Sequence, residues 1–218
     1  MIDGIRFKVC GLTSLVDAEF ADRCGADYLG FIFHPKSPRH LTREQFRAMA
    51  PRLPARRKVA VSVEPTSDEL AAQRDAGFDY FQIHHRFETP AETLAAWSHV
   101  VGGDKLWLAP KLPPGTAVPA AALAAAKFIL FDTYQVGGFG GSGQTGDWAG
   151  FARHQAAHPE NFWILAGGLN PGNIGAALQA SGARFVDVNS GVEAAPGVKD
   201  EAKLKRFVIA LHHAATAR

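Results

Sequence analysis

The 218-residue chain has only two cysteines, Cys10 and Cys24. So low a count leaves no basis for a disulfide scaffold, and each thiol needs its own explanation. No apolar run approaches the roughly 18 uninterrupted residues expected of a membrane span, and Asp3 stands where a secretory leader would carry its cationic start. The formal charge is only +2 and is not gathered into a basic block, which argues against nucleic acid or an anionic membrane as a partner. No G-x-G-x-x-G follows the first apolar run, so a dinucleotide site is not indicated. Neither the His84-His85 nor the His212-His213 pair has the spacing of a helical metal site, and no metal is expected. A cytoplasmic protein is the simplest expectation.

What is present is an ordinary globular balance, 47% hydrophobic and 20% charged, sufficient for a substantial core in one domain spanning residues 1–218. Short β-type runs alternate with amphipathic stretches. The expected strands are Ile5 to Cys10, Asp27 to Phe33, Arg57 to Val63, Tyr80 to His84, Lys105 to Pro110, Lys127 to Asp132, Asn161 to Gly168 and Ala183 to Gly191. A helical stretch follows each. The second is opened by Thr42 with Gln45 three positions on, a capping-box pattern; the fourth begins at Pro90, which suits a first helical turn. Eight strand-then-helix units with no second domain point to an α/β fold, a single (β/α)8 TIM barrel, because parallel strands need crossovers and closure removes the sheet edges. An open doubly wound sheet is the competing arrangement. Trp97, Trp107, Trp148 and Trp163 are expected beneath loops or between helices and barrel, and Cys24 within the first helix.

In such a barrel the loops leaving the C-terminal strand ends build the site. There the chain offers Cys10 after the first strand, Arg39 in the loop after the second, Asp132 at the end of the sixth, and glycines after the seventh and eighth. The backbone of Gly167 and Gly168, and of Ser190 and Gly191, can approach a ligand closely and present amides to a phosphate, the alternative being simple turn chemistry. The glycine-rich stretch Val136 to Trp148 reads as a loop able to close over a substrate. Cys10 suits a base if nearby positive charge lowers its pKa; its other reading is a small buried hydrophobe. Asp132 suits a general acid where burial favours its neutral form, against a helix cap or a loop carboxylate. Arg39 offers a bidentate fork for a carboxylate, against a solvated surface arginine.

Five segments, KVCGLT, DYLGFIFHPKSPRHLT, FDTYQVGGFGGSGQTGDW, LAGGLNPGN and VDVNSGVEAAPGVKD, resemble the phosphoribosylanthranilate isomerase family, in order and through nearly the whole chain. The resemblance implies an isomerase of tryptophan biosynthesis that carries out an Amadori rearrangement on a small sugar-phosphate substrate without a cofactor, as a monomer or homodimer. It implies Cys10 as base and Asp132 as acid, and it implies that Arg39, His84 and Asp187 bind the substrate. Gly141, Gly167, Gly168, Ser190 and Gly191 would hold the phosphate. A histidine-pathway isomerase is the neighbouring possibility, but it is expected to carry an acid in place of the first-strand cysteine. A silent sugar-phosphate-binding protein is another. The chain departs from the family pattern after the fourth strand, where His85 replaces a glycine, and in the sixth loop, where Gln144 and Gly146 replace lysine and phenylalanine.

Overall fold

The computed structural model describes residues 1–132 and 146–216. Its elements run β1 (Arg6–Val9), α1 (Leu15–Arg23), β2 (Tyr28–Ile32), α2 (Arg43–Met49), β3 (Arg57–Val63), α3 (Ser67–Asp75), β4 (Tyr80–Arg86), α4 (Ala91–Val101) and β5 (Leu106–Lys111). They continue with α5 (Ala120–Ala125), β6 (Phe128–Phe131), α6 (Trp148–Ala157), β7 (Phe162–Leu165), α7 (Ile174–Ser181), β8 (Phe185–Val188), β9 (Glu193–Ala195), β10 (Val198–Lys199) and α8 (Glu201–Thr216). Strands β1 to β8 close into a parallel barrel in chain order, with β8 paired back to β1 through Lys8 opposite Asp187. This is the (β/α)8 TIM barrel expected from the alternating pattern.

Helix starts follow from local chemistry. The Thr42 hydroxyl accepts from the Gln45 amide while the Gln45 side chain accepts from the Thr42 amide, and Thr66 and Glu69 repeat the arrangement on α3. Two otherwise unpaired amides are thereby satisfied at each start. Cys24 caps the C-terminus of α1, and α7 begins at Ile174, after Asn170 to Asn173 form a turn held by side-chain amides.

Period-two alternation sends one set of side chains outward against the helices and the other into the barrel. The outward set includes Phe7, Val9, Leu29, Phe31, Ile83, Leu108 and Ile129, all buried under helices. The inward set is a separate cluster: Tyr28, Trp107, Phe128 and Phe185 at the N-terminal end, Val59, Val61, Leu130 and Ile164 above them, and Cys10, Ala109 and Ala166 toward the C-terminal end. Trp97, Trp148 and Trp163 pack in the outer layer as expected, but Trp107 does not. Its register on β5, shared with Ala109, points it inside, where its ring lies 5.2 Å from Tyr28, 5.4 Å from Phe128 and 5.3 Å from Phe185. These rings plug the barrel floor, so any ligand chemistry is confined to the opposite end.

Candidate active site

Cys10 directly follows β1, and its side chain belongs to the inward cluster, 4% exposed. Asp132 directly follows β6 and is half-buried. Phe128 and Leu130 point inward, and Asp132 is the next residue in that alternation, at the same end of the barrel. Asp132 also borders a cavity of about 300 Å³ walled by the loop after β5 and by α6. The thiol and the carboxyl thus stand on strands separated by three positions around an eight-strand ring, both at the C-terminal rim.

Lys8, inward on β1 one register below Cys10, has no exposed surface. Its ammonium donates to Asp187 on the adjacent β8 at 2.8 Å. Gly30 on β2 makes this possible: a Cβ there would lie 2.7 Å from Lys8 Cε, 3.0 Å from its Nζ and 3.1 Å from the Cys10 Cα. Burial opposes the charge on Lys8, but Asp187 and Cys10 outweigh it and hold the ammonium above its ordinary pKa. Burial raises the Asp187 carboxyl, with Lys8 and Lys199 opposing. Burial likewise pushes the Cys10 thiol up, with Lys8 the main opposing influence. One oxygen of Asp187, Oδ1, is buried and has no hydrogen-bond partner among the described residues.

A second polar group closes the same end. The Arg39 fork donates from Nε and Nη2 to the two oxygens of Glu193 at 2.8 and 2.6 Å. Lys199 Nζ donates to Glu193 at 2.8 Å and to the Asn189 side chain at 2.9 Å. Arg39 and Lys199 outweigh the effect of burial on Glu193 and hold its carboxyl below the usual range. This network ties the loop after β2 to the β9–β10 hairpin. Gly11, at φ +70°, fits between the two: a Cβ would sit 2.6 Å from Asn189 Oδ1 and 2.7 Å from Arg39 Cδ. Two of the three nitrogens of the fork expected for a ligand carboxylate are therefore engaged by Glu193, and the remaining one, Nη1, has no acceptor among the described residues.

The loops after β7 and β8 meet directly. A Cβ on Gly191 would fall 1.9 Å from the carbonyl oxygen of Leu169, so glycine is required for that approach. Gly167 and Gly168 have φ of +87° and +63°, a backbone only glycine adopts readily, and the Gly168 carbonyl accepts from Asn170 and Asn173. The amides of Gly167, Gly168, Ser190 and Gly191 have no acceptor among the described residues, and Ser190 opens a short 3-10 turn. Four open donors in the loops after two neighbouring strands suit an anionic group. Gly141 and Gln144 lie outside the described residues.

His84 lies on the inward register of β4, where its Nε2 is 2.8 Å from the Gln82 amide nitrogen. Burial, reinforced by Lys8, His85 and His34, pulls its pKa down to about 3, so the ring is neutral. His85, in place of the expected glycine, points outward, is fully buried, and packs against Trp97 with centroids 5.9 Å apart. The strand runs on to Arg86 before Thr89 turns the chain.

Lys8, Glu193 and Lys199 were not singled out from sequence. Alternation along IRFKVC would have put Lys8 on the Cys10 face, whereas the Arg39–Glu193 pairing spans 154 residues and leaves no local sign.

A barrel with its polar residues, paired charges and open amides gathered at one end defines an enzyme of the (β/α)8 class that acts on an anionic small molecule. Residues 7–210 match the family model for N-(5'-phosphoribosyl)anthranilate isomerase. A Pseudomonas putida N-(5'-phosphoribosyl)anthranilate isomerase is 37% identical over 98% of this chain and its own full length. A dimeric phosphoribosylanthranilate isomerase of Thermotoga maritima, solved as generated monomers, superposes with a TM-score of 0.76 at 31% identity over 98% of this chain and 100% of that one. A phosphoribosylanthranilate isomerase complexed with reduced 1-(o-carboxyphenylamino)-1-deoxyribulose 5-phosphate superposes at 0.75 with 29% identity and the same coverages. The chain belongs to the phosphoribosylanthranilate isomerase family.

Proposed function

We propose that this enzyme performs the Amadori rearrangement of N-(5-phosphoribosyl)anthranilate, with Cys10 as general base and Asp132 as general acid. The observation that carries the reading is the presence of a thiol and a carboxyl at the same end of the barrel, on strands far apart around the ring. Asp132 donates its proton to the furanose ring oxygen as the C1–O bond breaks, leaving a Schiff base. The iminium acidifies C2, and Cys10 as thiolate takes the C2 proton to give an enolamine. Protonation at C1 and loss of the hydroxyl proton at C2 complete the ketose, 1-(o-carboxyphenylamino)-1-deoxyribulose 5-phosphate. The opposite protonation states needed of the two groups fit their different roles.

In this reading the 5-phosphate lies on the amides of Gly167, Gly168, Ser190 and Gly191; Gly141, the further phosphate residue implied by the family resemblance, lies outside the described residues. The remaining Arg39 nitrogen meets the anthranilate carboxylate, neutral His84 lines the aromatic pocket, and the open oxygen of Asp187 accepts from a sugar hydroxyl. Among the described residues no helix is long and apolar enough to cross a membrane. A cytoplasmic location, and a monomer or a dimer like the Thermotoga relative, belong to the same proposal.

The test is growth of a tryptophan auxotroph lacking this isomerase, together with steady-state kinetics of Cys10→Ala and Asp132→Asn. Each substitution is expected to lower kcat by about 100-fold or more while KM changes little. A Cys10→Ala or Asp132→Asn enzyme with near-normal kcat removes that residue from the chemistry, and failure of the soluble wild-type protein to restore growth rejects the substrate.

A further inference from the structure

We propose that Lys8 is a positioning residue for Cys10: its buried ammonium, fixed by Asp187, is the counter-charge beside which the thiolate forms. This rests on the reading of Cys10 as the base.

The placement is specific. Lys8 and Cys10 are alternate residues of one strand, and both crowd the space above Gly30, where an added Cβ would lie within 3.1 Å of each. The ammonium cannot swing away, because it is fully enclosed and bound to Asp187 at 2.8 Å. Its positive charge is the main influence opposing the effect of burial on the thiol.

The charges around Cys10 tell the same story. Lys8 on β1, Asp187 on β8, Lys199 on the β9–β10 hairpin and Arg39 in the loop after β2 act on it by charge; Lys8 is paired with Asp187, and Arg39 and Lys199, the latter lowered by burial, share Glu193 on β9. His84 on β4, near Lys8, is neutral. Two carboxylates therefore face three cations, and the one positive charge in excess is what a thiolate at Cys10 balances. A buried cluster with unmatched charge is costly, so its neutralisation favours ionisation of the thiol, against the opposing effect of burial. Proton transfer from substrate C2 then discharges the thiolate, and Lys8 keeps its proton throughout.

The experiment is an ultraviolet difference titration of the thiolate, Cys10 protein minus Cys10→Ser protein, both carrying Cys24→Ser. Lys8→Met is expected to raise the Cys10 midpoint by about one pH unit or more, a tenfold loss of thiolate at fixed pH. Asp187→Asn, which leaves the Lys8 charge uncompensated, is expected to move the midpoint down. Lys8→Arg should stay closer to the starting protein than Lys8→Met does. A purely architectural lysine gives Lys8→Met and Asp187→Asn shifts of the same sign, or none, and either result overturns the proposal. If Lys8→Met does not fold, Asp187→Asn decides alone: a midpoint unmoved or raised is fatal. Normal turnover by Cys10→Ala would instead defeat the base assignment and leave the titration result standing.

Discussion

The guanidinium of Arg39 grips the carboxylate of Glu193 through two parallel hydrogen bonds of 2.8 and 2.6 Å, joining the second loop of the barrel to the hairpin that follows its last strand. The pair is largely removed from water, with side chains 18% and 4% exposed, so it is a stiff link. It fixes the direction in which the third guanidinium nitrogen can point.

Glu193→Gln should therefore act on substrate binding more than on chemistry. A neutral amide keeps one acceptor but loses the charge-assisted fork, and Arg39 is freed to wander. KM is expected to rise about tenfold with kcat altered much less, as measured by steady-state kinetics on the anthranilate substrate. A fall in kcat at unchanged KM would show that Glu193 serves the reacting atoms instead.

Gly191→Ala should damage both folding and phosphate affinity, because the new methyl would occupy a position 1.9 Å from the Leu169 carbonyl. Backbone must separate to admit it. We expect a stability loss of about 1–3 kcal/mol by urea unfolding and weaker inhibition by inorganic phosphate. Unchanged phosphate inhibition in a folded variant would count against the amides of that turn as the anion site.

Acidification should weaken the fold through His84. Its pKa is about 3 in the folded protein against an ordinary 6.5, so below that ordinary value the unfolded chain takes up a proton that the folded chain refuses. Stability consequently falls as pH drops through this window and levels off below the folded value, with a total effect on the order of a few kcal/mol. Buried His85, also lowered chiefly by desolvation, adds in the same direction. Urea midpoints measured between neutral pH and about pH 4 should show a smaller decline in His84→Gln than in the starting protein. Equal declines would mean that the ring is solvated in solution.

The barrel was legible in the sequence because its signal is local: each strand is a short apolar run and several helix starts carry a side-chain cap, as at Thr42 and Gln45. Cys10, Asp132 and the paired glycines stood out for a related reason, being polar or small residues where an apolar run stops. Lys8 did not, since a charge inside an apolar run looks like a strand's solvent side, and only closure of the barrel reveals that both faces are covered. Trp107, expected beneath a loop or between helices and barrel, points inward instead because of its register, which depends on where β5 begins relative to its neighbours. The engagement of Arg39 by Glu193, and the β9–β10 hairpin that carries its partner, arise from residues brought together across most of the chain. No short-range pattern encodes that meeting.

The plug of rings formed by Tyr28, Trp107, Phe128 and Phe185 has a bearing on how such a protein changes over time. The barrel interior is filled with rings at one pole while its open polar groups lie at the other, so residues at the rim can be exchanged without disturbing that plug. Altered loops such as those after β4 and β6 are the kind of variation this polarity allows.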